Sequence, residues 1–259
     1  MRAPALRALG LLKAAGHGAG GLPKVGGRPV LSLVRPPNRD DRQRRATREC
    51  LLALAAVEAM LEDGKAEAAA LAGERTALLY ATAAAYAASN RGFIEGGKGG
   101  IHFAYTAPVV VPAEVAIEFG VTGAYTVVLG GPPATLRAIW QAAIWLDAGV
   151  CDRALVLAVE IFEECADLYA RARRPTAPPL VEAAGCLWLE RGRGQLEFET
   201  RRGGARAGNG PQEEDGEMFG CGPIAALDRW RRRGRASGPI ELSGAWRGES
   251  ARLVWSENS

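Results

Sequence analysis

The chain has 259 residues, 48% hydrophobic and 24% charged, with 32 Lys and Arg against 29 Asp and Glu and a formal net charge of +3. That length and balance fit one soluble domain with a sizeable core, and they carry no argument for nucleic acid or a membrane surface as partner. No apolar run approaches transmembrane length. The five cysteines (Cys50, Cys151, Cys165, Cys186, Cys221) lack C-x-x-C spacing, so buried free thiols in a cytoplasmic compartment are expected rather than disulfides or zinc. No acidic residue precedes Asp40, yet the Gly-rich stretch to Gly27 has no continuous apolar region of signal type. The start therefore reads as fold rather than as a targeting segment.

In chain order, a Gly/Pro-rich connection leads into a basic segment, Arg35 to Arg48, which runs into a helix. Cys50, Leu51, Leu54, Val57, Met60 and Leu61 space as its buried face, and Gly64 ends it. Thr76 to Thr82 is a strand. Phe93 to Val111 is a Gly- and aromatic-bearing loop, and Pro112 to Phe119 a short helix. Tyr125 to Leu129 is an apolar strand closed by Gly130 and Gly131. Pro132 and Pro133 suit a helix's first turn, where amide hydrogens have no intrahelical partner. Leu136, Ile139, Trp140, Ala143, Ile144 and Asp147 continue at helical spacing to a stop at Gly149, and Arg153 to Val159 is a continuous apolar strand.

Glu163, Glu164 and Asp167 beside Tyr169 and the basic group Arg171 to Arg174 read as a solvated loop and helix, without metal spacing. Leu180 to Glu190 and Gln195 to Thr200 read as two paired strands. Arg201 to Glu217 is a Gly-, Arg- and acid-rich linker, Gly222 to Arg233 a helix, and Pro239 to Ala245 and Ala251 to Trp255 strands joined near Gly248.

Several of these segments resemble the β-ketoacyl synthases: Gly123-Ala124-Tyr125, the strand to Leu129, Gly131, Ala138 in the helix, Gly149 with Asp152, and Glu160. Further likenesses are Ala5 to Leu12 as opening strand, Arg44-Arg45 before a helix with Glu58-Ala59, Phe119-Gly120, Leu180 to Glu190, and Gly244-Ala245-Trp246-Arg247-Gly248 in place of a Gly-Phe-Gly-Gly turn. The resemblance implies an α/β, thiolase-like layered α/β/α fold with a complete N-terminal half and a strongly reduced C-terminal one. The expected division is 1–200, a linker at 201–217 and a remnant at 218–259 within one domain.

The resemblance places the family's nucleophilic cysteine on Pro132. Proline supplies no thiolate and no N–H for an oxyanion. The only histidines, His17 and His102, lie upstream of that turn. No catalytic residue, cofactor or metal is therefore expected. The resemblance implies a non-catalytic accessory subunit of chain-length-factor type, pairing with a catalytic β-ketoacyl synthase in type II polyketide, polyene or fatty-acid biosynthesis.

Its implied site residues are a dimer edge at Tyr125, Thr126, Val127, Val128 and Leu129, an acyl tunnel at Phe93, His102, Phe103 and Tyr105, and carrier-protein docking at Arg229, Arg231, Arg232 and Arg233. Clustered arginines recognise phosphate and carboxylate; they also complement the dipole of their own helix end. Two readings stay open beside this one. One is a homodimeric protein that binds an acyl group or acyl carrier protein, and the other a decarboxylase or acyltransferase using His102, Cys151 or Cys221. Neither nucleic acid binding nor membrane insertion is expected.

Overall fold

The computed structural model describes residues 1–15, 24–25, 27–38, 40–96, 100–169, 177–202, 216–234 and 238–256. His17, Arg171 to Arg174 and most of the expected linker lie outside the described residues.

The elements follow in order as β1 (Arg2–Lys13), β2 (Lys24–Val25), β3 (Arg28–Leu31), α1 (Arg48–Gly64), β4 (Thr76–Thr82), α2 (Ala85–Glu95), α3 (Val110–Phe119), β5 (Tyr125–Leu129), α4 (Pro132–Asp147), β6 (Arg153–Glu160), β7 (Leu180–Val181), β8 (Ala183–Arg202), α5 (Gly222–Arg232), β9 (Ile240–Trp246) and β10 (Glu249–Ser256). Seven strands form one mixed sheet in the order β5-β4-β6-β8-β10-β9, with β1 paired to β8, while β2, β3 and β7 form a small second sheet. β4 is parallel to both β5 and β6, and the other pairings of the main sheet are antiparallel.

β4 and β6 are apolar almost throughout because both faces of the sheet are covered. α1, α2 and α3 pack on one face around Tyr80, Leu78, Leu155 and Leu157. α4 and α5 pack on the other around Leu79, Val156, Leu187 and Leu253. The expected buried face of α1 is buried, and Leu52, Ala53 and Ala56 are buried with it, because α3 covers the flank that the sheet leaves open.

Three expectations are corrected. β8 is one strand of 20 residues rather than two strands paired with each other: Ala183 to Glu190 pairs with β6, and Gln195 to Arg202 pairs with β10. The glycines that read as a break serve a close crossing, since a Cβ on Gly192 would overlap the backbone of Ala3 to Ala5 in β1. Phe93 lies on α2 rather than in a loop, because the alanine-rich run before it forms a helix. α3 begins at Val110, with Pro112 in its first turn where a missing N–H is tolerated.

The second half of β8 carries β10 and β9 away from the sheet's centre and against α4. That helix therefore meets β4, β6 and β8 on one side and β9 and β10 on another. β9 and β10 are joined through Arg247 and Gly248 with φ of 48° and 83°, the doubly positive pair of a two-residue hairpin turn.

Candidate functional site

The start of α4 is enclosed. β5 delivers the chain to Gly130 and Gly131, and Pro132 to Leu136 are buried. β9 lies directly against this turn: a Cβ on Gly244 would fall on the ring of Pro132, and a Cβ on Gly131 would stand 2.7 Å from Cε3 of Trp246. Only glycine at both positions lets the hairpin close over the helix.

Trp246 is one of four packed aromatics. Its ring lies 4.8 Å from Phe219 and 6.1 Å from Tyr169, and Phe219 lies 4.8 Å from Phe162 in an edge-on contact. Phe219 takes φ of 43°, a left-handed backbone that phenylalanine rarely adopts.

Glu160 holds Phe219's segment in place. Wholly buried at the end of β6, it accepts hydrogen bonds from the N–H groups of Ala83 (2.7 Å), Ala84 (2.8 Å) and Gly220 (2.9 Å), with the Thr82 hydroxyl 3.3 Å away. Thr135 of α4 donates to the carbonyl of Gly220 at 2.6 Å, and Tyr169 donates to the carbonyl of Ala83 at 2.7 Å. Desolvation pushes the Glu160 carboxyl up to about 8, against the pull of its three N–H donors. In the sequence neither Glu160 nor Trp246 carries a sign of this role beyond an acid that ends an otherwise apolar strand.

The other expected site residues are distributed as follows. Tyr125 to Leu129 form an outer strand of the main sheet, bonded among the described residues to β4 alone, with Tyr125 and Leu129 exposed. Phe93 and Phe103 make an edge-on contact at 5.8 Å; Phe103 is exposed, and Tyr105 is packed against the core beneath. His102 lies in the 3-10 turn that carries Phe103 and Tyr105.

At the end of α5, Arg231 is ion-paired with Asp63, Arg232 with Asp228 at 2.9 Å, and Arg229 accepts Arg233's N–H at its carbonyl. Arg231 and Arg232 therefore already hold acidic partners. All five cysteines are buried and free, and burial raises each thiol above its ordinary range, Cys50 to about 12. Cys151 and Cys221 are thus poor thiolates.

A second place of chemical interest is a cleft of about 320 Å³ at the start of α1. Phe93 and Tyr105 line it together with Arg35, Arg44, Arg45 and Arg48, and Glu49 and Ser89 sit at its floor. Phe93 and Tyr105, expected as acyl-tunnel residues, thus share this cleft with arginines among the described residues.

The layered sheet, the helix start behind a strand-turn, and the buried acid ending the next strand define a thiolase-like α/β/α protein. Within that class the assignment is direct: residues 38–176, more than half of the chain, match the family model of the Beta-ketoacyl synthase, N-terminal domain, and the chain belongs to that family.

Solved structures agree on the fold. "The ishigamide ketosynthase/chain length factor" superposes with a TM-score of 0.74 at 14% identity, covering 99% of this chain and 100% of that one. A β-ketoacyl synthase from Burkholderia phymatum STM815 gives 0.74 at 13% identity, covering 100% of both. The ketosynthase ApeO in complex with its chain length factor ApeC, from Xenorhabdus doucetiae, gives 0.62 at 15%, covering 97% and 99%. No curated protein matches the chain.

Proposed function

We propose that this chain is a non-catalytic ketosynthase-like subunit of chain-length-factor type, which pairs with a cysteine-bearing β-ketoacyl synthase and shapes the acyl chain that its partner builds. One observation carries the reading: at the helix start where the family's chemistry takes place stands Pro132, and Gly244 and Trp246 are packed onto the turn. A residue without a nucleophile or an N–H, behind an indole ring, has neither the groups nor the access for acyl transfer.

Two surfaces support an accessory role. Among the described residues β5 has an unpaired strand edge on which a partner strand could continue the sheet. Arg233 at the end of α5 is exposed and suits an acidic carrier protein, more so than Arg231 and Arg232, which pair internally. In this reading residues 218–259 are a reduced second half whose remaining task is to close the helix start. Buried, protonated Cys151 and Cys221 speak against a substitute nucleophile. No helix among the described residues is long and apolar enough to cross a membrane.

Co-expression with a cysteine-bearing ketosynthase, native mass spectrometry and an extension assay with malonyl carrier protein test the reading. A one-to-one complex whose product length depends on this chain is expected. A homodimer that alone releases CO₂ or transfers acyl groups sinks it.

A further inference from the structure

The cleft at the start of α1 stands apart from the closed helix start of α4. Its charge is uneven. Arg42 is committed to Glu114 and Glu118, Arg48 to Glu182 and Glu164, and Arg44 to Asp41 at 3.1 Å. Arg45 is exposed and makes no ion pair or hydrogen bond among the described residues, and Arg35 bonds only to the carbonyl of Ala46 at 2.8 Å. Two guanidinium charges at the mouth are therefore uncompensated.

The acidic groups of the cleft do not cancel them. Glu164 is held by Arg48 at 2.7 Å. Glu49, 3% exposed, takes a hydrogen bond from Ser89, and burial pushes its carboxyl above the ordinary carboxylate range. α1, 17 residues long, starts at this cleft; its Thr47 cap makes no side-chain hydrogen bond to the first turn, where the Glu49 carboxyl takes its own backbone N–H. Phe93 and Tyr105 supply flat apolar walls. Ligand sites of about 300 to 1,000 Å³ commonly combine such walls with a few convergent polar groups, and this cleft falls at the small end.

We propose that this cleft binds a small carboxylate with a flat apolar body, its carboxylate held by Arg45 and Arg35 and its body between Phe93 and Tyr105. A planar guanidinium fits a carboxylate in a two-point fork, and guanidinium planes also stack on flat apolar bodies.

Isothermal titration of the intact chain with 2-naphthoate, with neutral 2-naphthamide and with inorganic phosphate tests the site. Saturable one-to-one naphthoate binding is expected, with naphthamide and phosphate each at least tenfold weaker. Arg45→Ala should weaken naphthoate about tenfold while leaving the melting temperature unchanged, and Phe93→Ala should weaken naphthoate without improving phosphate. Equal affinity for naphthoate and naphthamide, or an Arg45→Ala variant that binds naphthoate as the wild type does, overturns the proposal. So does phosphate binding as tight as naphthoate, because the walls would then contribute nothing. Each outcome is read on the isolated chain and is independent of whether a ketosynthase partner exists.

Discussion

Two helix starts in this protein face opposite fates. Both follow a turn, both present the positive end of a long helix, and each has a buried carboxyl close by: Glu160 near α4 and Glu49 at α1. At α4 the first turn holds two prolines, Trp246 seals it, and Glu160 spends its oxygens on backbone N–H groups that lock the covering segment. At α1 the first turn opens on a cleft, the arginines around it are only partly neutralised, and Glu49 has a single serine donor from another element. A helix dipole is thus not a site by itself. What lies over it decides whether it can meet a ligand.

The strongest way to break the contrast is at the lock. Glu160→Ala leaves three buried N–H groups without an acceptor, each costing about 1–3 kcal/mol. A fall in Tm of about 10 °C or more is expected by calorimetry, at roughly 2–4 °C per kcal/mol for a chain of this size. Glu160→Gln keeps one carbonyl oxygen for Ala83 and Gly220 but cannot accept from Ala84, so its loss should be smaller.

The same pair of variants reads the pH dependence. Desolvation raises the folded carboxyl from the ordinary 4.5 to about 8, so between these values the native state keeps a proton that the unfolded chain has released. This contribution is present at low pH and is lost as pH rises through about 8. The wild-type Tm should therefore decline from pH 5 to pH 8 relative to that of Glu160→Gln, and parallel profiles would remove the claim.

Next in size is the close approach of β9. Gly244→Val places a side chain on Pro132, and overpacking of this kind costs about 1–3 kcal/mol, read as a lowered midpoint in urea with an unchanged slope. Access comes next. Pro132→Cys should remain nearly inert to iodoacetamide behind Trp246, and adding Trp246→Ala should raise its alkylation rate at least tenfold; rapid labelling of the single variant would show that the helix start is open after all. The smallest stability effect belongs to the open end: Arg45→Ala, exposed and unpaired, should stay within about 0.5 kcal/mol of wild type.

Much of this molecule is determined locally. Thr76 to Thr82 and Tyr125 to Leu129 read as strands with the bounds that the structure has, and α4 starts at Pro132 as the proline rule requires. These elements announce themselves because each is set by neighbours in sequence: apolar runs, turn glycines, a proline whose missing N–H is no loss at a helix start. The family likeness rests on the same local signals, and so does the absence of a nucleophile at Pro132.

What closes over Pro132 was beyond such reading. Trp246 stands more than a hundred residues downstream, and its ring reaches Gly131 only because β8 runs on through Gly192 and Gly194 and carries β10 and β9 back to α4. The apparent break at those glycines is resolved by β1, a strand at the other end of the chain. Likewise Phe93, Tyr105 and Arg45 lie on three separate elements, and only packing decides that the aromatic rings border a charged cleft. Periodicity determines which face of an element is apolar. Which distant backbone comes to cover that face depends on the pairing of strands, and that is a property of the whole fold.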